Sequence, residues 1–140
     1  MPGAYPEIHE YDINLLNVPD RALVPFVRGV SVPVFGKFLE LLKSGLSGAG
    51  LRTPEMLEVE AVMNQAGEMI DFAVNQRSGS GSLPIDRYLR LACNDAFSAQ
   101  NPPPAARGED GNIHFIFRTA VEWQPTQRPG YLVVLSAGLL

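Results

Sequence analysis

Residues 113–135, IHFIFRTAVEWQPTQRPGYLVVL, carry the strongest pattern in the chain. In the first half Ile113, Phe115, Phe117, Val121 and Trp123 alternate with His114, Ile116, Arg118, Ala120 and Glu122. This is the period of two that an extended backbone imposes on its faces. Residues 124–130, with two prolines and Arg128, separate that segment from residues 131–135, Tyr-Leu-Val-Val-Leu, which have almost no polar face. The pair reads as a β-hairpin, apolar on both faces. Two strands alone are marginal in water, and an uncovered apolar edge invites pairing. The hairpin therefore requires helices on one face and further strands, from this chain or from a second copy.

Working back from the hairpin, residues 101–111 open with Pro102, Pro103 and Pro104 and end in Gly108-Glu109-Asp110-Gly111, a surface connector. Residues 84–99 carry Ile85, Tyr88, Leu89, Ala92, Cys93, Ala96 and Phe97 at amphipathic helical spacing. Residues 77–82, Arg-Ser-Gly-Ser-Gly-Ser, read as a flexible hinge. Before it, Thr53-Pro54-Glu55 has the capping hydroxyl, first-turn proline and acid of a helix start. Met56, Val59, Met63, Ala66, Ile70 and Ala73 then recur at three- and four-residue steps, which predicts a helix to about Gln76. Leu57 and Phe72 interrupt its polar side. A further helix is predicted from Pro33 or Val34 through Phe35, Phe38, Leu39, Leu42 and Leu46, ending in a corner with Gly45, Gly48 and Gly50. Pro25 is expected to interrupt a short turn capped by Asp20, and 27–34 reads as extended. Near the N-terminus Tyr11, Ile13 and Leu15 alternate with Glu10, Asp12 and Asn14, a half-buried strand able to pair with the hairpin. Residues 1–7 read as a loose tail.

These elements predict a single α+β domain over 1–140: about three helices packed on a small, mostly antiparallel sheet with a C-terminal β-hairpin. A chain of 140 residues can bury a real core. Hydrophobic residues make up 46% and charged residues 19%, a lean supply of the surface charge that keeps proteins apart. The N-terminal residues show no basic and apolar regions of a signal peptide, and no apolar run approaches the ~18–20 residues a spanning helix needs. Cys93 is the only cysteine. A soluble, cytoplasmic protein is expected.

The candidate chemistry is thin. The net charge of −4 opposes broad phosphate-backbone binding. Arg77, Arg87, Arg90 and Arg118, with Arg107 and Arg128, are the cations from which an anion or nucleic-acid contact would have to be built, with Tyr88 and Trp123 for stacking. Arg77 and Arg87 flank the Ser/Gly hinge before a helix start, but no phosphate-loop fingerprint accompanies it. Cys93, His114 and Asp95 are the residue types of a nucleophile, base and orienter, yet Cys93 falls on an apolar helix side where thiols are inert packing. No Cys or His spacing suits a metal, and no cofactor motif occurs. Glu58, Glu68 and Asp71 would share a solvated helix side, and Arg118 pairs on its strand surface. The leading expectation is a non-enzymatic interaction or assembly subunit, of which a viral or phage structural component would be one example. It would self-associate or dock through Phe72, Phe115, Phe117, Trp123, Tyr131 and Val133. The first alternative is a small-molecule enzyme with a pocket between sheet and helices, lined by Met63, Met69, Tyr88, Phe115 and Trp123 near His114 and Arg118. The second is a nucleic-acid accessory protein using the arginines.

Overall fold

The computed structural model describes residues 7–10, 13–16, 18, 20–45, 53–124 and 130–140. In chain order they form β1 (Glu7–Glu10), β2 (Asn14–Leu15), a 3-10 turn (Arg21–Leu23) running into α1 (Val24–Gly45), β3 (Glu55–Met63), β4 (Met69–Ser78), α2 (Ile85–Ala96), a second 3-10 turn (Pro104–Ala106), β5 (Ile113–Gln124) and β6 (Gly130–Leu139). The strands make one sheet in the order β1-β6-β5-β3-β4, with β2 also on β6. The C-terminal hairpin is present: β5 and β6 pair antiparallel from Phe115↔Leu139 to Gln124↔Gly130. Residues 125–129, Arg128 among them, lie outside the described residues.

Two parts of the expected architecture are corrected. The sheet is mixed rather than mostly antiparallel, because the N-terminal segment pairs with β6 in the parallel sense, in two pieces. Among the described residues there are two α-helices, one long and one short, rather than three. The stretch expected as a helix from Thr53 to Gln76 is the antiparallel hairpin β3–β4. A second period runs through β3: Leu57, Val59, Ala61 and Met63 are buried at every other position. The connection is a tight Asn64–Glu68 turn in which Asn64 Oδ1 accepts from the Ala66 and Glu68 amides. Gly67 takes φ +84°, and a side chain there would collide with the Ala99 carbonyl. The helical repeat combined Met56, Val59 and Met63 of β3 with Ala66 of the turn and Ile70 and Ala73 of β4, where register shifts opposite Glu58/Val59 and Val62/Met63 break the alternation. An exposed edge strand with two irregularities has no clean period of two.

Helix α1 begins about ten residues earlier than its spacing suggests and runs through both prolines. Pro25 sits in the first turn, where its missing N–H costs nothing. Pro33 faces solvent, and the carbonyl it leaves unbonded belongs to exposed Gly29, open to water. Ser31 is buried because its hydroxyl donates to the Val27 carbonyl at 2.6 Å. With its leading turn, Arg21–Gly45 is by length and composition long and apolar enough to cross a membrane, which corrects the expectation that no such segment exists. Core helices of soluble proteins meet the same criterion. Here Val27, Val30, Val34, Phe35, Phe38 and Leu42 are buried against the rest of the chain.

Both helices lie on one face of the sheet. Phe26 and Phe35 of α1 and Phe97, just past α2, stack on Phe115 and Phe117 at ring-centre distances of 5.1–5.9 Å. Leu57, Val59, Ala61, Val133, Leu135 and Ala137 complete that layer. At ~25 cal/mol per Å², such aromatic burial supplies the main stabilising term.

Candidate functional site

The other sheet face carries no described helix. Pairing register places Met56, Glu58, Glu60 and Val62 of β3, His114, Ile116, Arg118, Ala120 and Glu122 of β5, and Leu132, Val134 and Ser136 of β6 on it. Val62 and Ile116 are buried but belong to no part of the helix-side core. Met56 is 51% exposed, and Ala120, Leu132 and Val134 are half-buried. A shallow open groove of about 360 Å³ runs over Met56, Glu58, Gln76, Ser78, Arg118, Ala120, Val134 and Ser136.

Two charged groupings frame this face. Arg118 Nε donates to Glu58 Oε1 at 2.7 Å across a directly paired position. His114 lies between two carboxylates, Nδ1 2.8 Å from Glu60 Oε2 and Nε2 2.8 Å from Asp110 Oδ2. Only the imidazolium can donate from both nitrogens. The Glu60 hydrogen bond is the main cause of a His114 pKa raised above the usual 6.5, against the lowering effect of burial. Asp110 is held below the usual carboxylate value, first by the Asn112 amide and then by His114. Alternation could place His114 and Arg118 on one strand face; their acidic partners, up to 60 residues away, were not legible.

The Ser/Gly segment is folded around an internal carboxylate. Glu55, expected as a first-turn helix acid, is wholly buried at the start of β3. Its oxygens accept from Ser80 Oγ (3.1 Å), Ser82 Oγ (3.5 Å) and the Gly81 amide (3.4 Å) and pair with Arg77 Nη1 (3.4 Å). Arg77 also donates to the Leu83 carbonyl at 2.7 Å and approaches Asp86 at 3.8 Å. Gly79, at φ +119°, passes so close to Glu55 that a side chain would strike Oε2. Serine hydroxyls, an arginine and a backbone N–H do gather round an anion here, but the chain supplies that anion itself.

The remaining predicted residues are dispersed. Arg90 stacks over the Phe72 ring at 5.0 Å, and Arg87 is an exposed residue of α2. Phe115, Phe117, Tyr131 and Val133 lie in the core beneath the helices, and Phe72 and Trp123 are partly buried on that same side. Trp123 meets Tyr131 edge-on at 5.0 Å. A surface contact through these residues would require opening the core. The pocket expected between sheet and helices is occupied by Phe26 and Phe97, which pack on Phe115, and His114 and Arg118 face away from it. Cys93 is buried, and desolvation pushes its thiol up to about 12, so the nucleophilic thiolate is suppressed. His114 is on the opposite sheet face, and Asp95 lies near Lys37 at 3.9 Å, so the three residue types do not converge. Among the described residues no group of three His, Cys, Asp or Glu side chains could hold a metal. Glu58, Glu68 and Asp71, expected along one helix side, sit on β3, in the turn and on β4.

No family model, curated protein or solved structure matches the chain.

Proposed function

We propose that the chain is a non-enzymatic assembly subunit that associates with its own copies through the open face of its sheet. The observation that carries this reading is the one-sided helix layer. Both helices cover the same face, and the other presents Met56, Ala120, Leu132 and Val134 beside the Arg118–Glu58 pair, with Asp71 and Glu122 at its ends. An apolar strip bordered by polar groups is the composition of a protein contact surface. The catalytic alternative finds a filled core and a suppressed thiol in its place. The nucleic-acid alternative finds Arg77, Arg90 and Arg118 engaged within the chain. The burial of one side of α1 on the sheet supports reading it as a core helix.

The test is mass in solution by light scattering after size exclusion, over a concentration series, for the wild type and Val134→Asp. A wild-type mass that is a multiple of 15.3 kDa, reduced in a folded Val134→Asp, is the expected result. A wild type that stays at one chain mass at every concentration would remove the proposal.

A further inference from the structure

The solvent side of α1 is chemically opposite to the open sheet face and lies on the other side of the molecule. Arg21–Gly45 holds Arg21, Arg28, Lys37 and Lys43 against Glu40, a formal +3, and Lys37 lies 3.5 Å from Glu40 and 3.9 Å from Asp95 of α2. The whole chain is −4, so everything else sums to −7. Much of that negative charge borders the outer sheet face: Glu58, Glu60, Asp71 and Glu122 by register, and Asp110 through His114. Among the described residues Arg118 and His114 oppose it there.

Both surfaces also have an uncharged centre. On α1, Gly29, Val32, Pro33 and Gly36 form an exposed strip between Arg28 and Lys37, with Val32 55% exposed. A methyl group added at Gly29 or Gly36 would meet nothing within 4 Å among the described residues, so their packing does not explain glycine, a poor helix former, at either position. On the sheet, Met56, Ala120, Leu132 and Val134 occupy the corresponding centre. The dimensions agree as well: a 22-residue helix is about 33 Å long, and the 12-residue strand β5 about 40 Å.

Resting on the self-association reading above, we infer that copies stack head to tail, the basic outer side of α1 of one copy covering the acidic open sheet face of the next. The face on which no described helix lies then gains a helix layer, as α1 covers the inner face within each chain. Arg28 and Lys37 flank the strip and meet carboxylates, while Gly29 and Gly36 allow close approach. The contact is heterologous, so it propagates into a ring or an open stack rather than closing as a two-fold dimer.

The experiment uses two charge-reversed chains. One carries Arg28→Glu and Lys37→Glu on the helix; the other carries Asp71→Lys and Glu122→Lys at opposite ends of the sheet face. The wild type should exceed one chain mass and fall toward it on dilution and as salt rises from about 0.1 M to 1 M. Each variant alone should be monomeric. Their equimolar mixture should regain masses above 15.3 kDa, because each native surface meets its native complement on the other variant and the two reversed surfaces are complementary to each other. Gly36→Gln is the variant that does not threaten the fold: it projects into open space and improves helix propensity, yet should block stacking. An associated wild type whose mass the helix variants and Gly36→Gln leave unchanged would overturn the head-to-tail arrangement while sparing self-association. Monomeric variants that fail to pair on mixing would overturn it too. A wild type monomeric throughout, whether or not it binds phosphatidylglycerol vesicles, would overturn both readings.

Discussion

Replacing Glu55 tests whether an internal anion holds the 79–82 loop. The carboxylate is wholly buried and receives Ser80, Ser82, the Gly81 amide and Arg77 at 3.1–3.5 Å. These separations are at or beyond the long end of good hydrogen bonds, so each contact is assigned about 0.5–1 kcal/mol rather than the 1.5–3 of a short charged one. Gln preserves the shape. Its carbonyl can still accept from the serines, but its amide then points donors at Arg77 and Gly81. Losing two contacts and adding that conflict gives about 2 kcal/mol for Glu55→Gln. Ala also leaves a cavity and breaks a buried pair, for about 3–5 kcal/mol. Arg77 limits the loss because it keeps the Leu83 carbonyl and Asp86. Urea unfolding followed by circular dichroism should show a lower midpoint with an unchanged slope. The expected fall in Tm for Gln is about 4–8 °C. Combining Glu55→Gln with Ser80→Ala should cost less than the sum of the two, because both act on one network. A Gln variant within about 0.5 kcal/mol of wild type would refute the reasoning.

Further outcomes follow from the same geometry. The raised His114 pKa stabilises the fold fully below the unfolded value near 6.5, and that contribution is lost as pH rises through the folded value. The lowered Asp110 pKa contributes above its unfolded value near 3.8 and is lost as pH falls through the folded one. A plot of Tm against pH should therefore decline on the alkaline side for wild type and flatten there for His114→Gln; identical profiles would exclude the ion triad. Phe117→Ala, in the aromatic layer, should cost about 3–5 kcal/mol in urea, whereas Val134→Asp on the open face should leave the monomer within about 1 kcal/mol. Equal losses would mean the two faces had been assigned wrongly. Cys93 should resist a disulfide reagent in native buffer and react fully in urea; rapid native labelling would contradict its burial. Gly67→Ala should destabilise the β3–β4 turn, since it meets both a positive φ and the Ala99 carbonyl, and an unchanged urea midpoint would show that the turn relaxes freely.

Sequence periodicity by itself determined the elements whose pattern is local. The alternation from Ile113 to Trp123 and the apolar run after Tyr131 specify β5 and β6. The amphipathic spacing from Ile85 to Ala96 specifies α2. Residues 55–63 satisfied two periods at once, and the choice between them was tertiary. The inward row Leu57, Val59, Ala61 and Met63 gains its burial only from β5, more than 50 residues later, and from the helices above it. Propensity within the window cannot represent that gain. Thr53-Pro54-Glu55 has the chemistry of a helix start, but β5 pairing draws Glu55 into the sheet and the Ser/Gly loop closes over its charge. The parallel sense of β1 and β2 on β6 was likewise decided by the path of the chain around the core. So was the separation of the sheet into a covered and an open face. The alternation sorted residues into two sets, and only the packing of Phe26, Phe35 and Phe97 on Phe115 and Phe117 decided which set would be buried under helices.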